Sequence, residues 1–269
     1  MWIDTHCHLD ASEFDADRAN VAAQALANGV RAIVIPAVGR DNFSTVRTLA
    51  HAIPGGVYAL GIHPMYVAHA LDDDLVVLRD AVRLAINDPR FIGIGEIGLD
   101  FFDPAAIAVA DRQERFYETQ LRIAVEFDLP VILHVRRSQD RVLRQLRRMR
   151  PRGGFAHAFN GSQQQADAFV ALNFKLGIGG AMTFERALQI RRLALHMPLE
   201  HLVLETDAPD IPPAWIRPGR NSPAELPAIG YALAALRGLE PEQVARVTTA
   251  NAYAVLPKLA ALHASQATS

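Results

Sequence analysis

Two histidines spaced two residues apart, His6 and His8, open the chain in the stretch Trp2-Ile3-Asp4-Thr5-His6-Cys7-His8. An apolar run leads into them, and side chains at i and i+2 of a strand point to the same face. The spacing therefore aims both imidazoles at one point and turns Cys7 away. Two convergent imidazoles make a poor core and a good beginning for a divalent metal site. Four more residues of ligand type follow similar apolar runs: Glu96 in Ile94-Gly95-Glu96-Ile97-Gly98, His134 in Val131-Ile132-Leu133-His134, His157 in Phe155-Ala156-His157, and Asp207 in Val203-Leu204-Glu205-Thr206-Asp207. Six donors are too many for one tetrahedral ion. They suit two divalent ions, with Glu96 bridging, His6, His8 and Asp207 on one, and His134 and His157 on the other. Two ions about 3.5–4 Å apart can hold a water as hydroxide and flank an attacked phosphorus. Asp207 is then both ligand and the group that takes the water's proton. Lysine occurs only at Lys175 and Lys258, which excludes a carbamylated-lysine bridge. Imidazole-rich ligands suit zinc, and magnesium and manganese are the other candidates.

The elements that must position these groups are short apolar runs alternating with helical stretches. Strands are expected at Trp2–Cys7, Ala32–Pro36, Val57–Gly61, Ile92–Gly95, Val131–His134, Gly154–His157, Phe174–Ile178 and Leu202–Glu205. Helices are expected at Arg18–Asn28, Leu75–Asn87, Arg112–Phe127, Gln139–Met149, Gln163–Leu172, Ala187–His196, Ala224–Arg237 and Pro241–Leu256. This alternation predicts an α/β fold, a (β/α)8 TIM barrel, with a doubly wound open sheet as the alternative. In a closed barrel every candidate ligand falls at the carboxyl ends of the strands, which meet on one face.

Bulk properties narrow the field. The chain has 269 residues, half of them apolar, and no linker or charge block, so residues 1–269 read as a single domain with a large core. Roughly the last ten residues are expected to be disordered. A net charge of -2 gives no global attraction for nucleic acid. One cysteine excludes an internal disulfide and, with no secretory leader in view, fits a cytoplasmic protein. No uncharged apolar run approaches the roughly 18 residues of a membrane span. No obligate protein partner is indicated.

Five blocks, in order, resemble the TatD family of metal-dependent deoxyribonucleases: Ile3-Asp4-Thr5-His6-Cys7-His8, Gly61-Ile62-His63-Pro64, Gly95-Glu96-Ile97-Gly98-Leu99-Asp100, Pro130-Val131-Ile132-Leu133-His134 and Glu205-Thr206-Asp207-Ala208-Pro209. The last block, and Arg136-Arg137 after His134, are similar to the family's YjjV branch. The resemblance spans Asp4 to the Asn251 region. It implies an amidohydrolase-like barrel, a two-metal centre on the six residues above, and hydrolysis of phosphodiesters, typically DNA from a 3′ end. The chain departs from the family at His157-Ala158-Phe159-Asn160-Gly161-Ser162, at Arg217–Pro223 and at Asn251-Ala252, which bears on substrate and leaves the ligands intact.

Around the six lie residues with less distinctive signals. His63 is a candidate substrate contact or hydrogen-bond donor to the metal site, against a packing role. Arg136, Arg137 and Arg220 are candidate phosphate contacts. Asp10 and Asp100 read as hydrogen-bond partners of ligand histidines or loops, and Glu205 as a buried partner. Eight arginines between 136 and 152 suggest a nucleic-acid patch, but the helix after strand five leads away from the active face, so a solvated face is the better reading. Two rival functions remain: hydrolysis of a small amide or lactone by the same centre, and a non-enzymatic metal-binding barrel. The presence of all six ligands argues against the second.

Overall fold

Parallel strands covered on both faces are apolar on both sides, and the eight runs of this chain are of that kind. The computed structural model describes residues 1–267. Strands β1 (Trp2–Asp4), β2 (Val30–Pro36), β3 (Gly56–Leu60), β4 (Phe91–Asp100), β5 (Val131–Arg136), β6 (Gly154–Ala156), β7 (Phe174–Ile178) and β8 (Leu202–Leu204) form one parallel sheet in chain order. It closes where Thr5 N–H donates to Leu204 O (3.1 Å) and Asp207 N–H to His6 O (2.9 Å). Helices α1 (Arg18–Ala27), α2 (Phe43–Ala52), α3 (Asp74–Ala85), α4 (Pro104–Ala108), α5 (Ala110–Glu126), α6 (Gln139–Met149), α7 (Gln163–Val170), α8 (Leu188–His196), α9 (Leu226–Arg237), α10 (Pro241–Val255) and α11 (Pro257–Ala267) surround it. The fold is a (β/α)8 TIM barrel. Among the described residues no helix is long and apolar enough to cross a membrane.

Two apolar layers hold the barrel. Alternate strand residues Ile3, Val34, Val57, Ile92, Ile132, Phe155 and Val203 point inward and pack on Val255, Leu256 and Leu259, so α10 and α11 stopper the foot. The alternate set, including Ile33, Tyr58, Leu133 and Leu202, faces the helices. Asn251 on α10 ties that stopper to the strand by donating to Leu199 O (2.8 Å) and Leu202 O (2.7 Å). The open mouth is thereby left at the carboxyl ends of the strands.

Several strand ends differ from expectation. Strand β1 stops at Asp4, and His6 lies beyond it, because the Asp4 carboxylate accepts His6 N–H (3.3 Å) in place of a ladder partner. Strand β4 continues past Glu96 to Asp100, since Ile97–Asp100 pair with Leu133–Arg136. The register shifts between Ile94 and Ile97, so Glu96 sits in an irregularity of the kind that re-aims a side chain. Helix α2 was not anticipated: its Ser/Thr-rich sequence has weak helical propensity, and Phe43, Val46 and Ala50 make it helical by packing. Helix α11 runs to Ala267, and the two residues after it, on which the expected C-terminal disorder also falls, lie outside the described residues.

Glycine lets β4 carry Glu96 this deep. A Cβ on Gly95 would lie 2.6 Å from Ile132 Cβ, and one on Gly61 would lie 2.7 Å from the Gly95 carbonyl carbon. Gly95→Ala is therefore expected to cost about 1–3 kcal/mol by overpacking. Urea unfolding of the two proteins checks this; equal midpoints would show that the strand yields freely.

Candidate metal centre

Glu96 is 1% exposed and lies among five imidazoles. Its Oε2 is 3.1 Å from His6 Nε2 and 3.3 Å from His8 Nε2. Its Oε1 is 2.8 Å from His157 Nε2, 2.9 Å from His134 Nδ1 and 3.2 Å from His63 Nε2. Asp207 Oδ1 closes the first side, 3.5 Å from His6 Nε2 and 3.8 Å from His8 Nε2. The six expected donors thus converge around Glu96, and His157 also lies 4.0 Å from Asp207 Oδ1 through its Nδ1. Asp207 reaches this place with φ 55, a left-handed backbone that is costly for aspartate and is held by its N–H bond to His6 O.

Protons alone do not satisfy this cluster. Facing nitrogens approach to 3.2 Å between His6 and His8, 3.0 Å between His63 and His134, and 3.3 Å between His157 and His134. Glu96 Oε2 makes no hydrogen bond despite its two close imidazoles, and the outer nitrogens of His6 and His157 are also buried without partners. Ring nitrogens from several elements aimed at one another and at a single carboxylate make up the donor set of a shared cation. Three overlapping sets of donor atoms lie at such spacing: His6, His8 and Glu96; His6, His157 and Asp207; and His63, Glu96 and His134.

His63 is different, although it lies at ligand distance. Its Nδ1 accepts the Met65 N–H (3.2 Å), which places the ring proton on Nε2, the nitrogen facing Glu96 and His134. Burial holds this ring neutral, lowering its pKa to about 4 against the pull of Glu96. A neutral imidazole with Nε2–H is a hydrogen-bond donor here rather than a ligand. In His134 the roles reverse: Nε2 faces the Asp100 carboxylate at 2.9 Å, leaving the Nδ1 lone pair directed inward. Asp100 also accepts the N–H groups of Phe102 (2.7 Å) and Asp103 (2.8 Å). Its carboxyl is held below the usual range because these bonds and His134 outweigh burial.

Charge is distributed unevenly. Burial alone would lower His157, but Glu96 and Asp207 raise it to about 10; burial likewise opposes His8, which Glu96 raises to about 9. Glu96 would be raised by burial, and the surrounding imidazoles instead hold it well below the carboxylate range. Burial raises Asp207 and brings Glu205 up to about 8, His157 opposing in both cases.

Supporting residues come from distant segments. Asp4 accepts the Thr206 N–H (3.0 Å) and hydroxyl (2.6 Å), locking the Asp207 loop to β1. Two buried glutamines of α5 clamp the mouth: Gln120 brackets the backbone of Ile62 (2.7 and 3.1 Å), and Gln113 that of Asp100 (2.9 and 3.2 Å). Their signal was available as polar residues on an otherwise apolar helix face, beside Phe116, Tyr117 and Leu121. Asp10 holds a loop by accepting from Asn42 (2.8 Å), and the buried Glu205 accepts Ala158 N–H. Arg220, expected as a phosphate contact, has its guanidinium engaged by Asp17 (2.6 and 2.9 Å) over the Phe14 ring. Its neighbour Asn221, fully buried, serves the site by donating to Thr206 O (2.7 Å) and Asp210 O (2.8 Å). Of the arginines on α6 and its flanks, Arg141 and Arg144 pair with Glu114, Arg148 with Glu118 and Arg152 with Asp128. Arg136 and Arg137 instead lie over the Phe102 ring, 3.9 and 4.6 Å from its centroid.

A parallel barrel with a histidine–carboxylate cluster where its strands end defines a metal-dependent hydrolase. The family model for TatD-related DNases matches residues 3–257, and the chain belongs to that family. It is 37% identical over 255 residues to the metal-dependent hydrolase YjjV of Escherichia coli K12, described as uncharacterized, covering 94% of this chain and 96% of that protein. It is 34% identical over 256 residues to the 3′-5′ ssDNA/RNA exonuclease TatD of Salmonella typhimurium, covering 93% and 96%. The crystal structure of Escherichia coli YjjV matches with a TM-score of 0.90 at 35% identity, covering 95% of this chain and 98% of that one.

Metal binding requires neutral imidazoles, and the metal-free protein holds His8 and His157 protonated at pH 7. Loading at pH 7 is expected to release protons, fewer as the pH rises past 9 to 10, with affinity rising over the same span. Calorimetry in buffers of different ionisation enthalpy reads this directly; a buffer-independent heat would refute it. Asp100→Asn, which disturbs the His134 tautomer, is expected to weaken metal retention about 10–100-fold in chelator competition.

Proposed function

We propose that this enzyme is a phosphodiesterase that removes nucleotides from the 3′ end of single-stranded DNA, using two divalent ions that the residues around Glu96 would hold. The observation that carries this reading is the division of the imidazoles between the two Glu96 oxygens, His6 and His8 on Oε2, His134 and His157 on Oε1. His6, His8 and Asp207 would hold one ion, His134 and His157 the other; the candidates are zinc, magnesium and manganese. When bound, such ions supply an acidified water and neutralise charge on the phosphate. Asp207, partly open to the mouth and raised in pKa by burial, takes the proton of the attacking water. His63 donates its Nε2 proton as a hydrogen bond to charge developing on the phosphoryl or leaving oxygen. Asp100 keeps His134 in the one tautomer that serves the centre. The exonuclease name of the Salmonella relative supports the substrate class. The enzyme works in the cytoplasm, where Cys7 stays a thiol.

Oligodeoxynucleotides labelled at either end test the proposal. The 3′ label is expected in mononucleotide from the first turnover, while the 5′ label shortens stepwise, and chelation stops both. Glu96→Gln is expected to lower kcat/KM on the order of a hundredfold or more. His63→Ala is expected to lower kcat while metal content stays that of the parent. Cleavage from the interior, or turnover of amides or lactones in preference to every oligonucleotide, would overturn the reading.

A further inference from the structure

An aromatic and cationic patch stands beside the metal centre, and the chemistry above leaves it without a task. Phe102 is 45% exposed, a large apolar ring left in solvent where β4 ends. It is not on a loose tip. Its N–H is held by Asp100, whose other oxygen faces His134, and Phe101 N–H donates to Arg136 O (2.8 Å). Ring and centre thus share one carboxylate. Against the ring lie the guanidinium groups of Arg136 and Arg137, both exposed. Arg141, Arg144, Arg148 and Arg152 are neutralised by surface carboxylates; among the described residues no ion pair is found to Arg136, Arg137, Arg147 or Arg150, and of these four Arg136 and Arg137 lie against an exposed ring. A second exposed ring, Tyr66, meets His63 edge-on at 6.1 Å, on a turn that packs against α4 and β4. Exposed rings with uncompensated guanidinium groups match a polymer that presents flat π-faces and phosphates in alternation. Base pairing would bury those faces in a duplex, so the occupant is a single strand.

We infer that Phe102, with Arg136 and Arg137, is the platform on which a single-stranded nucleic acid rests as its end enters the metal centre, one base stacking on the ring or the guanidinium planes and the arginines taking phosphates. This rests on the phosphodiesterase reading and assigns that activity its strand-binding surface.

Competition against hydrolysis of bis(p-nitrophenyl) phosphate by the metal-loaded enzyme tests it. Two competitors of equal length are compared, a thymidine decamer and an abasic decamer with the same phosphates and no bases. The parent enzyme is expected to favour the thymidine strand by about tenfold in inhibition constant, the contribution of a stacked base. Phe102→Ala is expected to collapse that ratio towards one, and Phe102→Trp to retain it; a ratio does not depend on the fraction of folded enzyme. Arg136→Gln with Arg137→Gln is expected to weaken both competitors alike and to flatten the log–log salt dependence by about 0.7 per arginine. A Phe102→Ala enzyme that keeps the parent ratio, or an unchanged salt slope in the arginine variant, overturns the platform while leaving the phosphodiesterase reading standing. A parent enzyme that hydrolyses neither the chromogenic diester nor the thymidine strand overturns both.

Discussion

A carboxylate sealed from water stays ionised only when positive charge is fixed beside it. Glu96 is such a group, and the architecture around it follows from that requirement. Its burial is unfavourable, its five imidazole neighbours cannot all be protonated without repelling one another, and its Oε2 lacks a hydrogen bond. A bound metal cation among these nitrogens would relieve all three conflicts at once. The site is thus built for the loaded state, and the metal-free arrangement carries unsatisfied polarity that an apolar core of the same volume would not have.

The barrel meets the geometric side of this requirement by convergence. No segment supplies more than two of the donors: His6 and His8 come from the chain after β1, Glu96 from β4, His134 from β5, and His157 and Asp207 from just beyond β6 and β8. Segments of different origin steady the site. Asp4 grips Thr206, Asp100 grips His134, and the glutamines of α5 clamp the backbone next to His63 and at Asp100. The helical stopper at the foot confines access to the mouth, where water and substrate arrive. Function and stability are thereby divided between the two ends of one sheet.

Much of this could be read before folding was considered, and the rest could not, for identifiable reasons. Strand cores and most helices announce themselves by periodicity, and Gln139–Met149 is helical as its pattern of Val142, Leu143 and Leu146 requires. The six donors declare themselves by following apolar runs. Strand ends are less visible because side chains take over from the ladder: Asp4 captures the His6 N–H, and pairing with β5 carries β4 past Glu96. The role of His63 turns on which ring nitrogen receives the Met65 N–H, a choice that residue type does not encode. Arg220 was placed by chain proximity to Asp207, whereas Asp17, 203 residues away in sequence, holds it. Phe102, a phenylalanine directly after an apolar run, reads as core in the sequence, and its exposure is a property of the fold alone.

Crystals loaded with manganese or zinc, with anomalous scattering collected at the metal edge, measure the central claim most directly. Two peaks are predicted, one between Glu96 Oε2, His6, His8 and Asp207, the other between Glu96 Oε1, His134 and His157, with His63 coordinating neither. A single ion, or ions that leave Glu96 without a bond to metal, would contradict it.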